Sequence, residues 1–332
     1  MYAMRSVASI GIVLVVGACG SSSVATTTAS PSAASVTSPA AVLNLWPRST
    51  ALAYDSTHGY VMLFGGRLNR GALMNDTWIR QGGRWVQMHP AASPPAREGA
   101  VLVDEPEMRA VLLFGGHTDG GDVGDTWAWD GTNWTPLAPA QSPTPRTGAA
   151  ATFDAVRHVV LLFGGSTGSS ETWTWNGQGW TQAKPAQSPP GRSFGRLGVD
   201  VAGGNAVLFG GFQALQDTWT WDGVTWTQQQ TSTTPPGIHE SSALTEQMAY
   251  DSDRKQLVLA APNEGTGKIE TFTWNGSDWT KLSPAMSPTF VDGAGMAYDA
   301  ADSITVLAGG YPQGAGATHT WGWDGTNWSA ID

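Results

Sequence analysis

Four arginines recur at equivalent positions along the chain, and their type and spacing could support chemistry. Arg48, Arg97, Arg146 and Arg192 each lie seven or eight residues before an acidic residue at a predicted turn. A guanidinium group binds carboxylates through parallel hydrogen bonds. Two interpretations are therefore open: repeated structural bonds to carbonyls or acidic residues between repeats, or a ring of cations that holds a carboxylate or an acidic peptide.

A second candidate is a glycine-containing segment, residues 117–125, in which Asp119 and Asp122 could offer oxygen ligands to a hard cation. The alternative interpretation of this segment is a solvated turn. The sequence contains no Gly-x-Ser-x-Gly elbow, no phosphate-binding loop and no zinc-type His/Cys spacing. We therefore predict no catalytic residue, no resident metal and no cofactor. A pair of distant carboxylates for glycoside hydrolysis stays open, because sequence does not measure their separation.

These residues are set within a repeat of about 50 residues. Its marker is an apolar run that ends in Gly-Gly. The run lies at residues 61–66, 112–116, 161–165, 207–211 and 306–310, with a degenerate copy at 258–261.

Each run is followed by an aromatic cassette, clearest at residues 125–134. The first and last aromatics of the cassette are seven residues apart in all six copies, which are Trp78/Trp85, Trp127/Trp134, Trp173/Trp180, Trp219/Trp226, Phe272/Trp279 and Trp321/Trp328. The Thr-Trp-x-Trp alternation has the period of a strand, and Asp-Gly or Asn-Gly before the last aromatic indicates a hairpin turn. With one short strand before each apolar run, every repeat supplies four strands.

The Phe-Gly-Gly, Asp-Thr-Trp-x-Trp-Asp-Gly-x-x-Trp and Ser-Pro-x-x-Arg motifs resemble those of bacterial kelch proteins. The resemblance implies an all-β fold, a six-bladed kelch-type β-propeller over residues 42–332, with four-stranded blades and almost no helix. Ring closure stays open, because residues 42–46 either add an edge strand or lead into the first blade. Blade 5 departs from the pattern with Ala260, Ala261 and Phe272, and blade 1 departs with Arg80 in place of the second Trp; small losses of packing are expected.

Kelch relatives include copper radical oxidases, sialic acid epimerases and many protein-binding modules, so fold alone leaves function open. A copper radical centre needs a tyrosine crosslinked to a cysteine, and the only cysteine here is Cys19. That enzyme class is therefore excluded.

Propellers generally bind ligands on the face formed by the segments leading into each first strand and by the loops between second and third strands. By this resemblance, the recurring arginines lie there together with Arg67 and Arg70 on the loop 67–75 and with residues 311–317. Blades 5 and 6 lack the arginine, and blade 5 has a longer leading segment that contains His239 and Glu240. Binding loops are expected to break the symmetry of a repeat in this way.

The N-terminus predicts export. One basic residue, Arg5, precedes an apolar run over residues 7–18 that is too short to span a bilayer but has the length of a signal-peptide core. Residues 16–19 resemble a lipobox, so residues 1–18 are predicted to be a lipoprotein signal peptide and Cys19 the lipidated residue. Residues 19–41, rich in Ser, Thr, Ala and Pro, are predicted to be a disordered linker.

Composition limits the partners. A net charge of −10 and the lack of any Lys/Arg run exclude nucleic acid as a partner. The sequence predicts a protein lipid-anchored outside the bacterial cytoplasmic membrane, or in the outer membrane, that acts as a non-catalytic binding or scaffold module for protein, peptide or glycan. The alternative is a carbohydrate- or cell-wall-active enzyme with its site in the central pocket.

Overall fold

The computed structural model describes residues 49–68, 71–212, 215–237, 247–289, 291–312 and 320–331, and in residues 291, 292, 311 and 312 the backbone only. These residues form strands and turns without any helix, and none of them provides a helix able to cross a membrane. They make six four-stranded antiparallel sheets and one small ribbon. The predicted all-β, six-bladed propeller is confirmed.

Each blade consists of consecutive strands of one repeat. Blade 1 contains β1 (Ala51–Asp55), β2 (Tyr60–Arg67), β3 (Leu73–Gln81) and β4 (Arg84–Met88). Blade 2 contains β5 (Val101–Glu105), β6 (Ala110–Phe114), β9 (Thr126–Trp129) and β10 (Trp134–Leu137), with the ribbon β7 (His117–Thr118) and β8 (Gly121–Asp122) between its second and third strands. Blade 3 contains β11 (Ala150–Asp154), β12 (Val159–Phe163), β13 (Thr172–Trp175) and β14 (Trp180–Ala183).

The second half of the ring repeats this order. Blade 4 contains β15 (Arg196–Asp200), β16 (Asn205–Phe209), β17 (Thr218–Trp221) and β18 (Trp226–Gln229). Blade 5 contains β19 (Gln247–Asp251), β20 (Gln256–Asn263), β21 (Lys268–Trp274) and β22 (Trp279–Lys281). Blade 6 contains β23 (Val291–Asp299), β24 (Ile304–Pro312), β25 (Thr320–Trp323) and β26 (Trp328–Ala330).

The core lies between blades, because the second strand of each blade is buried on both of its faces. In β2, Met62 and Phe64 pack against blade 2, whereas Val61 and Leu63 pack against blade 6. Because successive side chains of a strand point to opposite faces, one apolar run packs against both neighbouring blades. This explains why the run before Gly-Gly is continuously apolar.

A ring of side-chain hydrogen bonds joins the outer parts of all six blades. The last Trp of each cassette donates its indole N–H to the cassette Thr of the preceding blade. The pairs are Trp134 to Thr77, Trp180 to Thr126, Trp226 to Thr172, Trp279 to Thr218, Trp328 to Thr271 and Trp85 to Thr320, at 2.8 to 3.1 Å. Each such bond contributes about 1 kcal/mol. The seven-residue spacing of aromatics therefore positions a donor at every blade interface.

The last of these pairs lies at the seam where blade 6 meets blade 1. There Arg80 donates to Asp299 at 3.1 Å and to Asp302 at 2.7 Å. Arg80 is only 5% exposed, so it forms a buried ionic contact. The sequence predicted a small loss of packing at Arg80. Arg80 instead forms an ion pair across the seam. Residues 42–46 lie outside the described residues.

A left-handed residue lies two positions before the inner strand in blades 1 to 4, and a fifth is the third residue of β23. They are Ser49, Gly99, Gly148, Phe194 and Gly293, with φ between 53° and 73°. These residues are bonded through their backbones. Gly99 N donates to Ser49 O at 2.9 Å, Gly148 N to Gly99 O at 2.8 Å, Phe194 N to Gly148 O at 2.6 Å and Ser49 N to Gly293 O at 2.9 Å. We call this set the backbone rim. It draws the start of the inner strands together around the channel.

Candidate functional site

The arginines Arg97, Arg146 and Arg192 lead into blades 2, 3 and 4, and none of their side chains is exposed. Arg97 donates from Nη1 to Gly115 O at 3.0 Å and binds the Asp125 carboxylate in bidentate fashion at 2.6 and 2.8 Å. Burial alone would raise the pKa of Asp125, but hydrogen bonds from Arg97 and Trp127 outweigh burial and lower that pKa. Asp125 is therefore held as a carboxylate.

The other two arginines repeat the pattern. Arg146 donates to Gly164 O at 2.9 Å and to Glu171 at 2.6 Å, and Arg192 donates to Gly210 O at 2.9 Å and to Asp217 at 2.6 and 2.8 Å. Their backbone carbonyls accept from the preceding blade, because Gly116 N bonds to Arg146 O and Gly165 N to Arg192 O, both at 2.8 Å. Each arginine thus ties two blades together. These contacts match the structural interpretation.

The Gly-Gly pair leaves the space that this contact between blades needs. The first glycine has a positive φ, and a Cβ on Gly65 would lie 2.6 Å from Arg97 O, while one on Gly164 would lie 2.3 Å from Arg192 O. Neither position tolerates a side chain. In blade 5, where Ala260 and Ala261 replace the glycines, β20 and β21 continue through this position as a longer hairpin, paired out to Asn263 and Lys268.

The remaining predicted binding residues divide into two groups. Arg67 bonds to Glu98 of the next blade at 2.8 Å, and both side chains are partly exposed, at 27% and 24%. Arg48, Arg70, His239, Glu240 and Cys19 lie outside the described residues. Binding by any of these residues stays a prediction.

The two residues predicted as metal candidates, Asp119 and Asp122, differ in their contacts. Asp122 accepts from the His117 ring at 2.7 Å and from Ser166 of the next blade, and Asp119 is exposed. Within the described part of the chain, no group of three His, Cys, Asp or Glu side chains could hold a metal ion. The segment 117–125 instead forms the small ribbon β7–β8.

A cavity opens at the end of the central channel that lies opposite the backbone rim, where the inner strands end. We call it the turn-side mouth, and its volume is about 360 Å³. Its rim is formed by the residues directly before the acidic turns, namely Tyr54, Asp104, Phe153, Tyr250 and Tyr298, with Ser56 and Ser252 beside them. This volume lies in the range of small-ligand pockets. Aromatic faces and one carboxylate are thereby brought together from five blades.

Asp104 is electrostatically distinct within this mouth. Burial raises its pKa to about 6, and Asp55 and Glu105 add to the rise, whereas hydrogen bonds from Ser56 oppose it. The backbone N–H of Ser56 donates to Asp104 Oδ1 at 3.2 Å. A carboxylate with a pKa shifted by burial inside a cleft is a candidate for function.

The tyrosines of the mouth are held neutral. Burial raises the pKa of Tyr298 to about 12, with Asp253 and Asp251 adding to the rise, and burial raises the pKa of Tyr54 and Tyr250 as well. Neutral phenol rings present electron-rich faces and hydroxyl groups to a ligand.

Sequence reasoning did not identify this mouth, although a signal was present. The last residue before each turn acid is aromatic in four blades, Asp104 in blade 2 and Val199 in blade 4. Strand alternation alone does not show that these positions converge. The asymmetry that is plain in the sequence, the longer segment before blade 5, is predicted for the opposite face.

No protein-family model matches the chain, and a search of curated proteins finds no significant match. The structure shows the ring of six four-stranded blades, whereas the resemblance to kelch proteins rests on the repeated motifs alone.

Proposed function

We propose that this chain is an exported, kelch-type propeller that acts as a non-catalytic binding or scaffold module. The observation that carries the proposal is the turn-side mouth, where Tyr54, Phe153, Tyr250 and Tyr298 line a cavity together with one half-buried carboxylate, Asp104. Rigid strands position these side chains, and the interblade bonds hold the strands. A pre-formed pocket with aromatic walls and few polar groups is the usual form of a ligand site.

The ligand is a protein, peptide or glycan that presents a small group to this mouth. Aromatic rings suit all three ligand classes, because they offer a large apolar surface at a small loss of side-chain entropy. Arg67 on the opposite face marks a second candidate surface, and Arg70, His239 and Glu240, which lie outside the described residues, are predicted to contribute to it.

The cellular setting follows from the N-terminus. The lipobox-like residues 16–19 support lipid attachment at Cys19, and the linker 19–41 would hold the propeller away from the membrane. In this proposal the propeller lies outside the cytoplasmic membrane and meets extracellular or envelope ligands.

A carbohydrate-active enzyme is the second candidate, and the raised pKa of Asp104 favours it, because a general acid needs a pKa near the working pH. Most glycoside hydrolases also use a second carboxylate. Among the described residues that line the turn-side mouth, Asp104 is the only acidic one. Binding is therefore the better-supported function.

The deciding experiment is a combined peptide and glycan array probed with the full chain, with Tyr250→Ala and Phe212→Ala compared in parallel. Phe212 is an exposed aromatic on the opposite face, 6.2 Å from Phe194 between ring centroids. We expect specific hits that are lost in Tyr250→Ala and kept in Phe212→Ala. A blank array, or hits that the protein hydrolyses, would contradict the proposal. The reverse pattern would move the binding surface to the opposite face.

The tether is tested separately by Cys19→Ala, which should shift the protein from the membrane fraction to the soluble extracytoplasmic fraction. Ser21→Ala, a substitution in the adjoining linker, is the matched control and should leave the protein with the membrane. If Cys19→Ala remains with the membrane, the lipid anchor is wrong.

A further inference from the structure

We infer that the turn-side mouth selects an organic ammonium group, so that the ligand presents a protonated or methylated amine to Asp104 and the surrounding tyrosines. The inference rests on the proposed binding function and adds the chemical class of the recognised group. Three observations support it: the composition of the mouth, the charge of the turns around it and the size of the cavity.

The walls of the mouth have the composition of a cation site. Tyr54, Phe153, Tyr250 and Tyr298 line the cavity, and aromatic rings attract a cation through their quadrupoles. Asp104 supplies the counter-charge, and Ser56 fixes one of its oxygens. No lysine or arginine is among the described residues that line this cavity. An ammonium group here would therefore meet attractive groups on several sides.

The six turns around the mouth carry more acidic than basic residues. Together with Asp104 they contain ten acidic residues and four Lys or Arg residues, and Arg80 of blade 1 pairs with two of these acids, Asp299 and Asp302. The acids are Asp55, Asp104, Glu105, Glu107, Asp154, Asp200, Asp251, Asp253, Asp299 and Asp302, and the bases are Arg109, Arg157, Arg254 and Lys255. Among these acids Asp104 lines the cavity itself, and an excess of acidic residues around a cleft concentrates cations there.

Two of the four bases are already engaged by turn acids. Arg157 pairs with Asp154 and Arg254 with Asp251, both at 2.8 Å and within their own turns. These local pairs neutralise two carboxylates that are fully buried. Asp104, by contrast, accepts its described hydrogen bond from a backbone N–H, which leaves its negative charge uncompensated by that bond.

The size of the cavity fits a small head group rather than a chain. A volume of about 360 Å³ admits a trimethylammonium or an amino-sugar unit, whereas the next cavity along the channel measures only about 110 Å³ and is lined largely by Ala, Leu and Gly, with Arg196 and Gln247. A ligand would therefore enter by its charged end and leave the rest of its structure outside. An anionic ligand would face Asp104 and the acidic turns.

Two matched probe pairs test the inference by calorimetry on the full chain: choline against the isosteric neutral 3,3-dimethylbutan-1-ol, and glucosamine against N-acetylglucosamine. The first pair tests a methylated ammonium and the second a protonated amine on a sugar. We expect at least one cation to bind at least ~10-fold more tightly than its neutral partner. Asp104→Asn should remove that preference, and Tyr250→Leu should weaken binding of the same cation.

Glu107→Gln is the matched control, because it removes one charge from the same face at a side chain that is 54% exposed and paired with His158. It should lower the cation preference far less than Asp104→Asn does, because Glu107 does not line the cavity. Equal affinities within both probe pairs, or a preference that survives Asp104→Asn, would overturn the inference.

The outcome is separable from that of the binding function. Array hits that depend on Tyr250 but carry no amine, and that bind Asp104→Asn as well as the unchanged chain, would overturn the ammonium inference and leave the binding function standing. A blank array together with no calorimetric binding would overturn both. Circular dichroism on each variant shows whether a loss of binding reflects loss of the fold.

Discussion

The two ends of the central channel are built in different ways from the same six repeats. We call the end of the channel at which the inner strands start the loop side. There the backbone rim and the buried arginines bond neighbouring blades, and the cavity is only about 50 Å³, with Gly and Ala prominent in its lining. At the turn side, Tyr, Phe and Asp lie among Ala, Leu, Val and Met in the walls, and the cavity is about 360 Å³. Blades are bonded to each other at both ends, at the turn side through Arg80, but the turn side has the larger cavity and offers chemistry to a ligand.

The difference shows how repetition should be interpreted in this protein. Residues that recur in register, such as Arg97, Arg146 and Arg192, make the same bonds at three successive blade interfaces. Residues that differ from blade to blade at one register, such as Asp104 and Val199 in a set of aromatics, meet no shared demand. Variation at an inward-facing register is therefore the better guide to a site.

The largest predicted loss of stability comes from a substitution at the loop side. Arg146→Met removes a guanidinium with no exposed side-chain surface and its four hydrogen bonds to Thr144, Gly164 O and Glu171. At about 1 kcal/mol for each bond, their loss should lower the free energy of unfolding by about 3 kcal/mol. Urea denaturation followed by tryptophan fluorescence measures the change.

Arg67→Met is the control for that substitution, because Arg67 also pairs with a glutamate but is 27% exposed. It should change stability by less than about 1 kcal/mol. Equal effects of the two substitutions would mean that burial does not decide the role of the arginines.

A smaller loss is expected from Gly164→Ala. Gly164 has a φ of +72°, and a Cβ there would lie 2.3 Å from Arg192 O, so the blade 3 to blade 4 contact must shift. We expect a loss of about 2 kcal/mol in the same assay. Gly179→Ala, where no atom lies within 4 Å of the added Cβ, should stay within about 0.5 kcal/mol of the unchanged chain.

The smallest effect has the opposite sign and lies at the turn side. Because Asp104 has a folded pKa of about 6, the stability that its protonated form contributes is lost as pH rises from its unfolded value of 3.8 through 6. Asp104→Asn should therefore be more stable than the unchanged chain at pH 7 by roughly 1 kcal/mol, a figure discounted for solvent in the mouth.

The gain should disappear below pH 4, where the carboxyl is protonated in both states. Urea denaturation at several pH values gives the difference curve, and Glu107→Gln provides the baseline for removing a charge from this face. A lower stability of Asp104→Asn at pH 7 would show that the carboxylate is held for the fold rather than kept at the expense of stability.

Much of the fold was predictable because its determinants are local. The Thr-Trp alternation and the Asp-Gly turns define hairpins within a few residues, and the repeat multiplies that signal until six blades are evident. The role of the arginines was left open, since burial depends on the neighbouring blade. Arg80 was expected to be a packing loss, because its partner Asp299 lies 219 residues away in sequence.

The site was less predictable for the same reason. Tyr54 and Tyr298 are 244 residues apart in the sequence yet line one cavity. Their position before a turn acid is visible in the sequence, but the face on which they meet follows only from the closed ring. Several residues expected to bind, including His239 and Glu240, lie outside the described residues, and their role stays a prediction.

The seam at Arg80 has a consequence for how the chain could be rewired. Each blade uses four strands of one repeat, and no described strand crosses from blade 6 into blade 1. Leu52 of the innermost strand β1 and Ile331, which follows the outermost strand β26, both pack against the apolar cluster at the seam, so a linker across this one interface would join the two ends of the described ring. The ring is therefore a good subject for circular permutation, with new termini opened in an exposed hairpin turn and the old ends joined by a short linker.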